Sequence, residues 1–189
     1  MPSDPLRGFI LRALLWLPVC FAAWYGMAAI HAGVIGSLSR GAIDLFRPGL
    51  VTGLEQAGRE LVFVTRILVH PAPGQSALVL PEVNPLLYTY GLAFFAALML
   101  AARARLWQLA VGMLLLLPFQ VWGVVFDFLL QVGIRPGPEI TIQAGLSAWQ
   151  REAVALGYQL GNLVFPTVVP ILLWGGFNRD FIAGLRRRM

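Results

Sequence analysis

The stretch VNPLLYTYGLAFFAALMLAARAR, residues 83–105, decides how the rest of the chain is read. It opens on the helix-breaking pair Asn84-Pro85 and two tyrosines, Tyr88 and Tyr90. It continues as an uncharged apolar run and stops at Arg103 and Arg105. About 20 apolar residues, rising about 1.5 Å each, cross a hydrocarbon core about 30 Å thick. Tyrosines favour the membrane–water interface, and arginines beside a span favour the cytoplasm. The stretch therefore supplies a membrane span, an interfacial anchor and a direction, but no chemistry.

Composition agrees with that reading. The chain is 58% hydrophobic and 12% charged, whereas soluble domains carry about 25% charged residues. All fourteen basic residues are arginine, and the net charge is +5. These arginines sit at the ends of apolar runs, not in an aromatic-interleaved patch. Positive-inside topology accounts for them, and nucleic-acid binding is not expected. Cys20 is the single cysteine, which excludes an intramolecular disulfide and a multi-cysteine metal site.

Outward from the opening stretch, three further apolar runs appear, at residues 9–38, 106–132 and 153–177. With residues 84–102 they make four predicted transmembrane helices in one integral membrane domain, an all-α membrane protein. The first run, flanked by Arg7 and Arg12, is much longer than the 7–15 apolar residues of a signal peptide. It reads as a retained span kinked at Pro18, and Pro118, Pro166 and Pro170 fall inside later spans. Residues 39–83 and 133–152 are left as outer loops.

The first loop begins with helical spacing among Ile43, Leu45 and Phe46, broken at Pro48-Gly49. ELVFVTRILVHP then reads as a β-branched strand, residues 72–76 as a turn, and ALVLPEV as the returning strand. Together they predict a small hairpin subdomain on the membrane surface.

With both termini in the cytoplasm, the inside arginines are Arg7, Arg12, Arg103, Arg105, Arg179, Arg186, Arg187 and Arg188, against the acids Asp4 and Asp180. Arg40, Arg47, Arg59, Arg66, Arg135 and Arg151 lie outside, in longer loops. Arginine density near span ends makes four spans with both ends inside the consistent topology.

Few residues offer chemistry. Asp127 is the one acid well inside a predicted span, where ionisable groups face protein or water and often matter. Two readings stand for it: a functional acid, partnered by Arg135 or Arg151, or a carboxylate at the outer interface. Cys20 lies between Val19 and Phe21 in an apolar helix, as a small hydrophobe does. His31 and His70 have no local ligand or triad pattern and read as interfacial or loop residues. Gly157 and Gly161, next to Asn162, form a G-x-x-x-G ridge that permits close helix approach, within the chain or to a partner subunit. Phosphate-cradling loops and nucleophile elbows are absent, and no cofactor is implied.

Three segments taken together carry a family resemblance: LLWLPVCFAAWY, VNPLLYTYGLAFFAALMLAA and LGYQLGNLVFPTVVPILLWGGFNRDFI. They resemble the exosortase H-associated membrane proteins, small bacterial inner-membrane proteins found with that transpeptidase-like enzyme. The resemblance implies an accessory role in sorting or processing proteins that bear a C-terminal tripartite anchor signal. Exosortases themselves use a membrane-associated Cys, Arg and His set. Here Cys20 stands in the first span without matching motifs, so no catalytic residue carries over.

The leading expectation is thus a non-catalytic partner of an exosortase-like membrane enzyme, its outer loops presenting a surface for docking or substrate guidance. A small membrane enzyme or transporter is the alternative. It would need Asp127, Arg135, Arg151 and His70 to converge on one external pocket. A purely structural subunit of an envelope complex is a third possibility.

Overall fold

Between Arg12 and Arg40 the chain carries no Asp, Glu, Lys or Arg, and Pro18 falls inside the helix without ending it. In the computed structural model, which describes residues 5–70 and 74–186, it forms one helix, α1 (Pro5–Phe46), of 42 residues. At 1.5 Å per residue α1 is about 63 Å long, twice the hydrocarbon core. Its first half is exposed on most sides, with Leu14, Leu15 and Met27 turned outward. Its second half buries a stripe of Ala28, Ala32, Ile35, Ser39 and Ile43, the three-to-four-residue spacing of a helix face packed on protein.

A sheet covers that stripe. Strands β1 (Val51–Ala57) and β2 (Glu60–Thr65) form an antiparallel hairpin, and β2 also pairs with β5 (Glu82–Val83). Strands β3 (Leu68–Val69) and β4 (Ala77–Leu78) make a separate two-stranded ribbon. Leu61, Phe63 and Thr65 alternate inward along β2 and are fully buried, and the Phe63 ring lies 5.1 Å from that of Phe128. Gly36 lets the sheet close on α1: a Cβ there would stand 2.8 Å from Leu61 Cδ2. At the hairpin tip, Gln56 Nε2 donates to the carbonyl of Ala29 at 2.7 Å, and the Arg59 guanidinium lies 3.8 Å from the centre of the Tyr25 ring. The hairpin thus runs back along α1 toward the membrane-facing half.

The chain then returns through α2 (Leu86–Thr89) and α3 (Gly91–Ala101). Arg12 Nε donates to the carbonyl of Ala101 at 2.8 Å, so the end of α3 meets the start of α1. Helix α4 (Leu106–Gly133) runs back beside α1, and α5 (Pro138–Ala144) follows. The last long helix comprises α6 (Ala148–Gln159), a π-helical turn (Leu160–Val164) and α7 (Phe165–Phe177). Its start is capped by Ser147, which accepts from the backbone of Gln150 while Gln150 reaches back to Ser147. A short helix α8 (Arg179–Arg186) closes the described chain, with Phe181 5.2 Å from Phe9 and Phe9 stacked 5.3 Å from Trp174.

Among the described residues, three helices are long and apolar enough to cross a membrane: Leu6–Phe46, Leu106–Gly133 and Ala148–Phe177. The predicted span at 84–102 is a shorter apolar helix, Leu86–Ala101, because Asn84-Pro85 delays its start and β5 occupies the residues before it. The first loop, predicted from residue 39, is helical to Phe46, since no breaker precedes Pro48-Gly49. The β-branched segment does form a strand, but its main partner is β1, whose Gly53, Glu55 and Gln56 carry no strand signature. The predicted return strand splits between β4 and β5. The second loop is helical over much of its length, through α5 and the first residues of α6. Asp4, Arg187, Arg188, residue 71 at the end of the predicted strand and residues 72–73 of the predicted turn lie outside the described residues.

Candidate functional site

Polar residues enter the apolar helix α4 at Gln120, Asp127 and Gln131, spaced so that with Gly123 they share one face. That face meets α1, α2 and β5. Gln120 is buried, and its Oε1 lies 2.7 Å from Nε2 of His31 on α1. One turn on, Gly123 has no side chain, and the Tyr88 ring of α2 occupies the space a Cβ would take. From there the Tyr88 hydroxyl donates to Asp127 Oδ2 at 2.9 Å. Gln131 Nε2 donates to the other carboxylate oxygen at 3.2 Å and to the carbonyl of Glu82 at 2.8 Å. A neighbouring bond, Trp24 Nε1 to Thr89 Oγ1 at 3.2 Å, ties α1 to α2.

Asp127 is therefore buried and accepts from neutral donors on both oxygens. Its partners are Tyr88 and Gln131, not Arg135 or Arg151. Gln131 sits one turn away on the same helix, and Tyr88 is delivered by the docking of β5 and α2. Arg135 lies past the end of α4 and reaches the Tyr158 ring instead, 5.6 Å from its centre. Arg151 is exposed in a cavity of about 530 Å³ walled by Gly133, Ile134, Pro136, Thr141, Ile142 and Ala155, with Glu152 beside it; Asp127, Arg135 and His70 are not in that wall. His70 is exposed after β3. Arg135 is near enough to act by charge on Tyr88, the partner of Asp127, whereas Arg151 lines a separate cavity.

The glycine ridge is occupied within the chain. A Cβ on Gly157 would enter the Phe126 ring, and one on Gly161 would stand 2.9 Å from Gly123 Cα. The two helices thus touch backbone to backbone where Gly123 and Gly161 face each other. Trp122 Nε1 adds a bond to the carbonyl of Gly157 at 2.9 Å. Asn162, half-buried in the π-helical turn, makes no side-chain hydrogen bond among the described residues. Cys20 is buried against Ala93, Ala96 and Ala97, and no base that would activate a thiol stands beside it among the described residues. Among the described residues, no three His, Cys, Asp or Glu side chains gather as a metal site.

The chain matches the family model of exosortase H-associated membrane proteins over residues 3–181. It belongs to that family. Among curated proteins and solved structures, no match is found. Within this family member, Tyr88, Gln131 and His31 are the polar-cluster residues that sequence reasoning did not group with Asp127. The signal for Gln131 was available in the spacing of Gln120, Asp127 and Gln131 along one face. Tyr88 read as an interfacial anchor, and only its distance from Asp127 in space reveals the bond.

Proposed function

We propose that the chain is a non-catalytic accessory subunit of an exosortase-type protein-sorting system in the bacterial inner membrane. Residues 39–83 and 133–152 would face outward and present a surface for docking or substrate guidance. The family match over residues 3–181 carries this reading. It is supported by the character of the polar groups: Asp127 is buried and accepts one bond on each oxygen, and Cys20 is packed in apolar surroundings. A subunit of this kind needs a rigid outer surface more than an open polar pocket.

The same proposal includes four spans with both termini in the cytoplasm. Leu86–Ala101 would be the fourth, at about 24 Å. Its shortness is tolerable because α1, α4 and α7 all pack on α3 and shield it from lipid. The bond from Arg12 to Ala101 supports a return to the starting face before α4 begins.

Co-purification in mild detergent with the co-expressed exosortase-like enzyme is the test. A stable or crosslinkable complex is the expected result. Full recovery of both proteins as separate species, with unaltered processing when this chain is deleted, would reject the proposal.

A further inference from the structure

The two segments 39–83 and 133–152 meet at one seam. Gln143, near the end of α5, donates to the carbonyl of Leu68 at 2.7 Å and accepts from its backbone N–H at 3.0 Å. Arg47 Nη2 donates to the carbonyl of Gly145 at 2.7 Å. These ties border a cavity of about 230 Å³, whose wall includes Arg47, Pro48, Leu50, Arg66 and Gly145.

Local structure brings two positive charges to this cavity. Pro48 and Gly49 make a tight turn, with the backbone N–H of Leu50 donating to the carbonyl of Arg47 at 3.2 Å. Gly49 takes a φ of +69°, which glycine adopts without strain. Just past β2, the N–H of Arg66 donates to the carbonyl of Leu50 at 3.1 Å. That bond sets Arg66 beside the turn, where its Nη1 would stand 3.3 Å from a Cβ on Gly49. Arg47 Nη1 lies next to Gly145, 3.6 Å from where a Cβ would be. Nothing acidic answers these charges. Among the described residues the wall holds no Asp or Glu, and Asp44, one turn back on α1, is not part of it. Arg66 is exposed and makes no side-chain hydrogen bond among the described residues, and Arg47 uses only Nη2. Two like charges in so small a wall repel each other, and an anion between them replaces that repulsion with attraction.

We infer that this seam binds a doubly charged phosphate group, as free phosphate or as a phosphate monoester headgroup. Charge selects it: two guanidinium groups without a carboxylate match the roughly −1.5 to −2 charge of phosphate better than the single charge of a carboxylate. The volume is below the roughly 300–1,000 Å³ of pockets that enclose a drug-sized ligand, which suits one small anionic group. The site is read from the seam alone and does not depend on the accessory role.

The test uses the purified full chain in detergent at about pH 8, above the second phosphate pKa of about 6. Inorganic phosphate replaces chloride at constant ionic strength, so that screening does not change, and the unfolding midpoint is followed. Phosphate should raise the midpoint by binding the folded chain, whereas acetate should not. Arg66→Ala should weaken phosphate binding at least tenfold and leave the midpoint in chloride unchanged, because its side chain holds nothing else. Arg66→Lys should recover part of the loss, since it restores the charge without the planar fork. Arg151→Ala, in the separate cavity, should bind as the parent does. A short-chain phosphatidic acid that binds more tightly than phosphate would identify a headgroup as the source. Equal or weaker binding would identify free phosphate, and either result upholds the site. A midpoint indifferent to phosphate, equal stabilisation by acetate, or undiminished binding in Arg66→Ala would overturn it.

Discussion

The hydroxyl of Tyr88 donates to Oδ2 of Asp127 across 2.9 Å, joining residues 39 positions apart in the chain. This bond passes over Gly123, whose missing side chain makes room for the Tyr88 ring. It locks the entry of the short returning helix onto α4, and Gln131 extends the clamp to the carbonyl of Glu82 at the end of the sheet. One carboxylate thereby connects a helix, a strand and a second helix at the cap end of the bundle.

Tyr88→Phe removes one donor from a buried carboxylate and should destabilise the protein by about 1–3 kcal/mol. Asp127→Asn keeps an acceptor but places amide protons toward a donor. A double-mutant cycle between them, followed by thermal unfolding in detergent, should give a coupling of at least about 0.5 kcal/mol. Strict additivity would show that the bond contributes nothing.

Gly123→Leu should be poorly tolerated, since its side chain would enter the Tyr88 ring and separate α4 from Gly161. Overpacking of this kind costs about 1–3 kcal/mol or more. Gly41→Ala is the control: a Cβ there meets nothing within 4 Å, and replacing a mid-helix glycine should gain about 0.5–1 kcal/mol. Unfolding midpoints of the two variants should therefore move in opposite directions.

Arg59→Ala should release the hairpin tip from Tyr25, where the guanidinium stands 3.8 Å from the ring centre. The expected loss is about 0.5–1 kcal/mol, too small to unfold the bundle. Limited proteolysis between β1 and β2 should become faster, while α4 stays protected. Equal cleavage rates in both proteins would show that the contact does not hold the hairpin.

The proposed topology can be read by thiol labelling. In a Cys20→Ala background, Glu55→Cys should react with a membrane-impermeant maleimide in intact spheroplasts. Arg103→Cys should react only after permeabilisation. Both sites are exposed, so failure to label reports sidedness and not burial. The reverse pattern would invert the orientation, and labelling of both in intact spheroplasts would remove α2 and α3 as a span.

Several features were legible in the residues alone. The apolar runs flanked by arginine marked the membrane helices, because hydrocarbon admits few charges and a helix satisfies its own backbone. The β-branched ELVFVT marked a strand. The partner strand did not announce itself, since Gly53, Glu55 and Gln56 have low or mixed β-propensity and pair through their backbone. Helical spacing was also legible to Phe46, before the Pro48-Gly49 break, but not that it continues the first span without interruption. Beyond residue 38 no breaker stops the helix before Pro48-Gly49, and Ile43 is buried in the core shared with Leu61 and Phe63 of the sheet.

By itself, then, the sequence determined a membrane bundle, its basic end and its family likeness, all consequences of local composition. Tertiary structure decided which polar groups meet. Asp127 could have paired with either arginine by charge. It bonds Tyr88 and Gln131 because β5 and the glycine at 123 bring the tyrosine ring onto α4, whereas Arg135 lies beyond the helix end. Burial, bond partners and the shape of the cavity beside Arg47 depend on segments far apart in the chain, and a one-dimensional pattern does not specify how they pack.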